Sequence, residues 1–219
     1  MIDLLTSAPA WASAAPAAPG TGSTPGSGLV LSQIDFVIVD VETTGWSPDE
    51  ARITEVGAVR MRSGRVLGEF GSLVDPGIPV PAGIEALTGI SSQMVASAPQ
   101  PADVLPALLS FAGGSVLTAH NAPFDLAFLT AACGDCGLPW PDFTVLDTVP
   151  VARQLMADGE VPNCKLGTLA SFFGATTRPC HRALADARAT AAVLDALIRR
   201  LADRGIRTLD QLGEWLAVA

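Results

Sequence analysis

Two carboxylates, Asp40 and Glu42, follow directly on the apolar run Phe36-Val37-Ile38-Val39. A strand sends residues i and i+2 to the same face, so the two side chains point together, where like charges repel. Two further segments carry polar side chains where a plain fold would not place them. "AHNAPFDLAFL" (119–129) is a strand that runs into a helix through His120, Asn121 and Asp125. "HRALADARATAAVL" (181–194) puts His181 and Asp186 at the start of a long helix. Taken singly, Asp125 reads as a first-turn aspartate complementing the helix dipole, Asp186 as a solvated helix residue and His120 as a core histidine. The Asp40/Glu42 pair resists such a reading, because unpaired charge near a buried run costs several kcal/mol per ion. Four converging carboxylates are compatible with folding when divalent cations offset them. Two Mg²⁺ bring +4 against −4, and such a pair stabilises both oxygens of an in-line phosphoryl displacement.

His181 and Asp186 are five residues apart, about 140° net around a helix with 3.6 residues per turn. They do not share a helical face. His181 is therefore expected on the loop before the helix, folded back toward the Asp186 side and free to meet a substrate-bound water.

The elements that must position these groups read as α/β. Ile34–Asp40 is a buried strand; 52–61 and 65–76 flank the turn signal Ser63-Gly64 and predict an antiparallel meander. Helical periodicity covers 102–112. Residues 115–120 form another buried strand, and Asn121 is placed to N-cap a helix over 123–133. "FTVLDT" predicts a last short strand, "LGTLASFFG" a helix closed by Gly174, 182–202 a long amphipathic helix and 208–217 a final one. The expected fold is a mixed central sheet, three antiparallel strands plus parallel ones, with helices on both faces. Residues 7–28, rich in Pro, Ala, Gly and Ser, lack the apolar surface to order themselves. The expected organisation is a disordered leader over 1–32, a catalytic domain over 33–203 and a C-terminal helix over 204–219.

Bulk properties limit the function classes. The 219 residues are 49% hydrophobic and 16% charged, with a net charge of −9. Nothing in this balance points to a broad basic nucleic-acid-binding face, and a nucleic acid held mainly at its end fits it better than tight, extended binding. No apolar run approaches the roughly 20 residues of a membrane helix. The first positive side chain is Arg52, so the start of the chain lacks a charged signal n-region; a cytoplasmic protein with reduced thiols is expected. Cys133-x-x-Cys136 has no second close pair to complete a zinc site.

"DVETTG", "AHNAPFD" and "HRALADA", in this order and spacing, resemble the three motifs of the DEDDh 3′→5′ exonucleases, and among them the proofreading (epsilon) subunits of bacterial DNA polymerase III. "IEALTGISSQMVASAP", "LDTVPVAR" and "CKLGTLASFFG" agree, so the resemblance runs from Phe36 to Leu197. It implies a ribonuclease-H-like fold and metal-dependent hydrolysis of the terminal phosphodiester of single-stranded DNA, releasing nucleoside 5′-monophosphates. It also implies a proofreading or repair role, with a polymerase or repair complex as partner. Asp40, Glu42 and Asp186 would hold one Mg²⁺, and Asp40 with Asp125 a second, Mn²⁺ being a substitute. His181 would take the proton from the attacking water. The backbone of Thr43, Thr44 and Gly45 would meet the terminal nucleotide, with Asn121 and Phe124 lining its pocket and Trp46 placed to stack or wedge. His120 is the rival base, disfavoured because it ends a buried strand. Two alternatives share the motifs: an exoribonuclease acting on short RNA, and an inactive binding domain, against which the complete site argues.

Overall fold

In the computed structural model, which describes residues 28–218, the strand bearing Asp40 runs past it. β1 spans Phe36–Thr43, so both carboxylates sit within the strand and not at its end. β2 (Ile53–Arg62) and β3 (Arg65–Leu73) complete the meander around the Ser63-Gly64 turn. Then follow α1 (Ala82–Thr88), α2 (Ser92–Val95), α3 (Pro101–Ala112), β4 (Val116–Ala119) and α4 (Ala122–Asp135). β5 (Val145–Asp147), α5 (Thr148–Leu155), α6 (Leu166–Phe172), α7 (Ala183–Asp203) and α8 (Leu209–Ala217) finish the chain. The sheet has the order β3-β2-β1-β4-β5, antiparallel across β2 and parallel from β1 through β5. This is the mixed sheet the pattern predicts, with helices on both faces.

Alternation along β1 sorts the core into two layers. Phe36 and Ile38 pack with Leu155, Leu169, Leu194 and Leu197 on the α5–α7 side. Val37, Val39 and Val41 pack with Leu105, Leu108, Phe128 and Leu129 on the α3–α4 side. A strand buried on both faces has to read as a continuous apolar run, which is why 36–39 shows no polar alternation. Asp40 and Glu42 continue the Phe36/Ile38 phase and so belong to the face covered by α7.

Leu29, Val30 and Leu31 belong to the folded unit, although the leader was expected to run to residue 32. Val30 bridges Thr208, the Leu31 N–H donates to the Arg207 carbonyl, and Leu31 is buried. The rest of the expected leader, residues 1–27, lies outside the described residues. α8 opens with a capping box of Thr208 and Gln211 and packs Leu212 into the α7 layer. Among the described residues no helix is long and apolar enough to cross a membrane.

Candidate active site

Pairing between β1 and β4 ends at Ile38↔Thr118, so the far half of β1 has no neighbour on that side. The chain leaves β4 at its C-terminal end, the crevice where open α/β sheets place their ligands. α4 begins there, and Asp125 in its first turn reaches back: its Oδ1 accepts the Val41 N–H at 3.0 Å. The open edge of β1 thus fixes a buried carboxylate beside Asp40.

On the other layer, α7 starts at Ala183 and lies against β2. A Cβ on Gly57 would fall 2.2 Å from the Leu184 nitrogen, so only glycine admits this approach. Gly57 is the register partner of Asp40, which brings the start of α7 over the two β1 carboxylates. Carboxylate oxygens of Glu42 and Asp186 and a ring nitrogen of His181 all lie within 4.8 Å of one another. His181 is exposed in the loop before α7, with a left-handed backbone (φ 56°) uncommon for a non-glycine residue. Asp186 Oδ1 accepts the Cys180 N–H at 2.8 Å, which folds this loop back onto the helix.

One cleft of about 170 Å³ is lined by Asp40, Glu42, Asp125, His181 and Asp186 together. Its electrostatics are those of crowded carboxylates. Burial, then the charges of Asp125, Asp186, Glu42 and Glu55, hold Asp40 well above the ordinary carboxylate range. Burial pushes Glu42 up to about 8, with Asp186, Glu55 and Asp125 adding to it. Asp125 rises to about 7, chiefly through burial, despite the hydrogen bond from Val41. Burial also raises Asp186. Hard oxygen donors beside one imidazole, all short of positive charge, form a donor set that fits divalent cations such as Mg²⁺ or Mn²⁺.

Thr43, Gly45, Asn121 and Phe124 line the same cleft, but Thr44 does not. The Thr44 hydroxyl accepts the Arg52 N–H at 2.9 Å and its own N–H donates to the Arg52 carbonyl, so it closes the turn after β1. A bulge between Glu42 and Thr43 marks where the strand breaks register at the cleft. Trp46 is 76% exposed at the rim, its ring 6.5 Å from that of Phe124. Asn121 occupies the N-cap position of α4 but makes no side-chain cap; its backbone is left-handed and its N–H donates to Asp147 Oδ1 at 3.0 Å. His120 has both ring nitrogens occupied, by the Thr148 hydroxyl at 2.8 Å and the Cys164 carbonyl at 2.9 Å.

Three contributors escaped the reading of the sequence: Glu55, Arg182 and Gly57. Glu55 lies in β2 opposite Glu42 and is buried; it holds Arg182 and caps the α7 N-terminus through the Ala183 N–H. An acidic residue inside the apolar strand "RITEVGAV" was the available signal. Cys133 and Cys136 are free thiols, and the one metal-competent group among the described residues, Glu42, His181 and Asp186, does not include them.

Residues 37–194 match the family profile described as Exonuclease. A Mycobacterium tuberculosis protein named as a candidate bifunctional exonuclease/endonuclease is 45% identical over 206 residues, covering 91% of this chain and 32% of that protein. A PolC-type DNA polymerase III of Caldanaerobacter subterraneus subsp. tengcongensis is 40% identical over 182 residues, 83% of this chain and 13% of the polymerase. The chain therefore spans a third or less of the length of these relatives. Exonuclease X, solved with 5′-overhanging duplex DNA, superposes with a TM-score of 0.60 at 27% identity, covering 75% of this chain and 91% of that one. Escherichia coli exonuclease I, solved with single-stranded DNA, gives a TM-score of 0.69 at 20% identity over 80% of this chain and 42% of that one; this shows the shared fold.

Proposed function

The chain belongs to the exonuclease family, and from that membership we propose that it removes nucleotides from the 3′ end of single-stranded DNA as nucleoside 5′-monophosphates. The observation that carries this reading is the convergence of Asp40, Glu42, Asp125, Asp186 and His181 from β1, α4 and the α7 loop on one cleft. Asp40, Glu42 and Asp186 would hold one Mg²⁺ or Mn²⁺, and Asp40 with Asp125 a second. When bound, these ions supply the charge that acidifies water and stabilises the oxygens of an in-line displacement.

The chain's own groups supply the rest. A His181 ring nitrogen accepts the proton of the attacking water as its oxygen bonds to phosphorus and the bond to the 3′ oxygen breaks. The leaving oxygen takes a proton from solvent, and His181 later returns its own. Phe124 and Trp46 offer rings for stacking the terminal base, an interaction worth roughly 1–3 kcal/mol per base. The turn from Thr43 to Gly45 closes the cleft over the sugar, with Thr44 holding the turn.

DNA is favoured over RNA because exonuclease X is solved on DNA and the PolC-type relatives are DNA polymerases. By the same argument the chain would serve proofreading or repair beside a polymerase or repair complex; a cytoplasmic location stays the expectation drawn from the sequence. The catalytic unit would then run from Leu29 through α7, with α8 (Leu209–Ala217) packed on it.

The test is digestion of 5′-labelled single-stranded DNA and RNA with Mg²⁺, Mn²⁺ or chelator. A ladder shortening from the 3′ end, with 5′-monophosphates as products and no reaction in chelator, is expected. Internal cuts, or full activity in excess chelator, would overturn the reading; a preference for the RNA strand would transfer it to RNA.

A further inference from the structure

We propose that a second groove, beside the catalytic cleft, carries the sugar-phosphate backbone on the 5′ side of the nucleotide being removed, with Arg153 and Lys165 meeting its phosphates. The proposal rests on the exonuclease reading and extends it to the path of the strand. The cleft, at about 170 Å³, is smaller than the roughly 300–1,000 Å³ of ordinary ligand sites. A strand anchored there has to continue outside it. The groove, about 560 Å³, shares His120 and Asn121 with the cleft and is lined further by Val149, Arg153, Asn163 and Lys165.

The chain has 13 Lys and Arg residues against 22 acidic ones. Seven of those cations, Arg52, Arg60, Arg62, Arg182, Arg188, Arg199 and Arg200, pair with carboxylates. Of the cations that pair with no acid among the described residues, Arg65, Arg153, Lys165, Arg178, Arg204 and Arg207, it is Arg153 and Lys165 that line a groove sharing residues with the cleft. Both are exposed, and Lys165 is the sole lysine. In a protein of net charge −9, a polyanion is drawn to the few places where positive charge is uncompensated.

The groove is also built rather than incidental. Asn163 Oδ1 accepts both the Lys165 N–H at 3.0 Å and the Thr168 hydroxyl at 2.8 Å, which sets the turn into α6. His120 ties this loop to the end of β4 through the Cys164 carbonyl. The histidine that is sequestered from the chemistry thus joins the wall of the groove to the floor of the cleft.

The experiment compares the parent with Arg153→Gln/Lys165→Gln and with the charge-matched control Arg65→Gln/Arg207→Gln, whose arginines are exposed elsewhere. Binding of a fluorescent single-stranded oligonucleotide is measured by anisotropy in chelator across about 50–200 mM salt. Hydrolysis of the oligonucleotide, and of the p-nitrophenyl ester of thymidine 5′-monophosphate, is measured with Mn²⁺. Each phosphate contact contributes about 0.7 to the salt slope of a single strand, so the groove variant loses about 1.4 from that slope. Its affinity falls on the order of 10-fold while the ester, confined to the cleft, is hydrolysed at the parent rate; the control behaves as the parent. Unchanged binding and slope in the groove variant would overturn the proposal, as would an equal loss in the control. Equal loss of ester hydrolysis would place both cations in the cleft chemistry and overturn it too. A parent that binds the strand with this dependence but cleaves nothing would refute the exonuclease reading and leave the groove standing.

Discussion

Glu55 and Arg182 form a two-pronged ion pair, Nη2 to Oε1 at 2.8 Å and Nε to Oε2 at 3.1 Å, one residue from His181. The same carboxylate accepts the Ala183 N–H at 2.8 Å, so one side chain of β2 holds both the loop and the first turn of α7. Glu55→Gln keeps the shape and removes the charge. Turnover should fall on the order of 10-fold through misplacement of His181, with KM unchanged. The stability loss should be roughly 1–3 kcal/mol, the scale of a charge-assisted hydrogen bond. Single-turnover rates and denaturant melts check both. An unaffected rate in a destabilised protein would make Glu55 a purely structural residue.

The two histidines should separate cleanly. His181→Ala removes the exposed ring and leaves the four carboxylates; single-turnover cleavage at saturating Mn²⁺ should drop by about 10²- to 10⁴-fold with the fold intact. His120 is held by Thr148 and Cys164, so His120→Ala should lower the melting temperature more than the chemical step. A folded but inactive His120→Ala beside a fully active His181→Ala would reverse the assignment.

Raised carboxylates make the metal-free protein sensitive to alkali. Glu42 at about 8 and Asp125 at about 7 lie above the roughly 4 of unfolded chains. A folded pKa above the unfolded one gives a stabilising contribution that is complete below about pH 4 and lost as pH rises through the folded values. The melting temperature in chelator should therefore fall more steeply between about pH 5 and pH 8.5 in the parent than in Glu42→Gln. Mn²⁺ should raise it most at the alkaline end, because a ligand of the folded state stabilises by mass action. A gain from metal no larger at pH 8.5 than at pH 5 would refute this account.

Gly57→Ala forces a methyl group into the backbone of Ala183 and Leu184. The start of α7 must move away from β2 and take Asp186 with it. We expect loss of a few kcal/mol, on the overpacking scale, and weaker Mn²⁺ binding by calorimetry. Gly83→Ala, where an added Cβ meets nothing, is the control and should match the parent. Undiminished metal affinity in Gly57→Ala would show that Asp186 does not depend on this contact.

Local pattern was enough to place the β-meander, the strand–turn–helix around Asp125 and the loop position of His181. Each rests on a period of 2 or 3.6, or on a turn signal a few residues long. Asp40 and Glu42 were legible because charge after an apolar run stands out in one dimension. Asp125 and Asp186 read singly as ordinary helix residues and were marked only by the resemblance of their motifs. Packing between distant segments was not legible. Glu55 meets Arg182 across 127 positions and Asp125 meets the Val41 N–H across 84, and neither distance leaves a periodic trace. Asn121 has the composition of an N-cap, yet a contact with Asp147 leaves its backbone left-handed and its side chain out of the cap. Leu29–Leu31 pair through their backbone with Arg207–Leu209, far along the sequence, and no local pattern marks that match. The β1 carboxylates were written in residue types and the helix carboxylates in motif order; what holds all four in the cleft is decided by contacts that form only when the sheet and its two helical layers close.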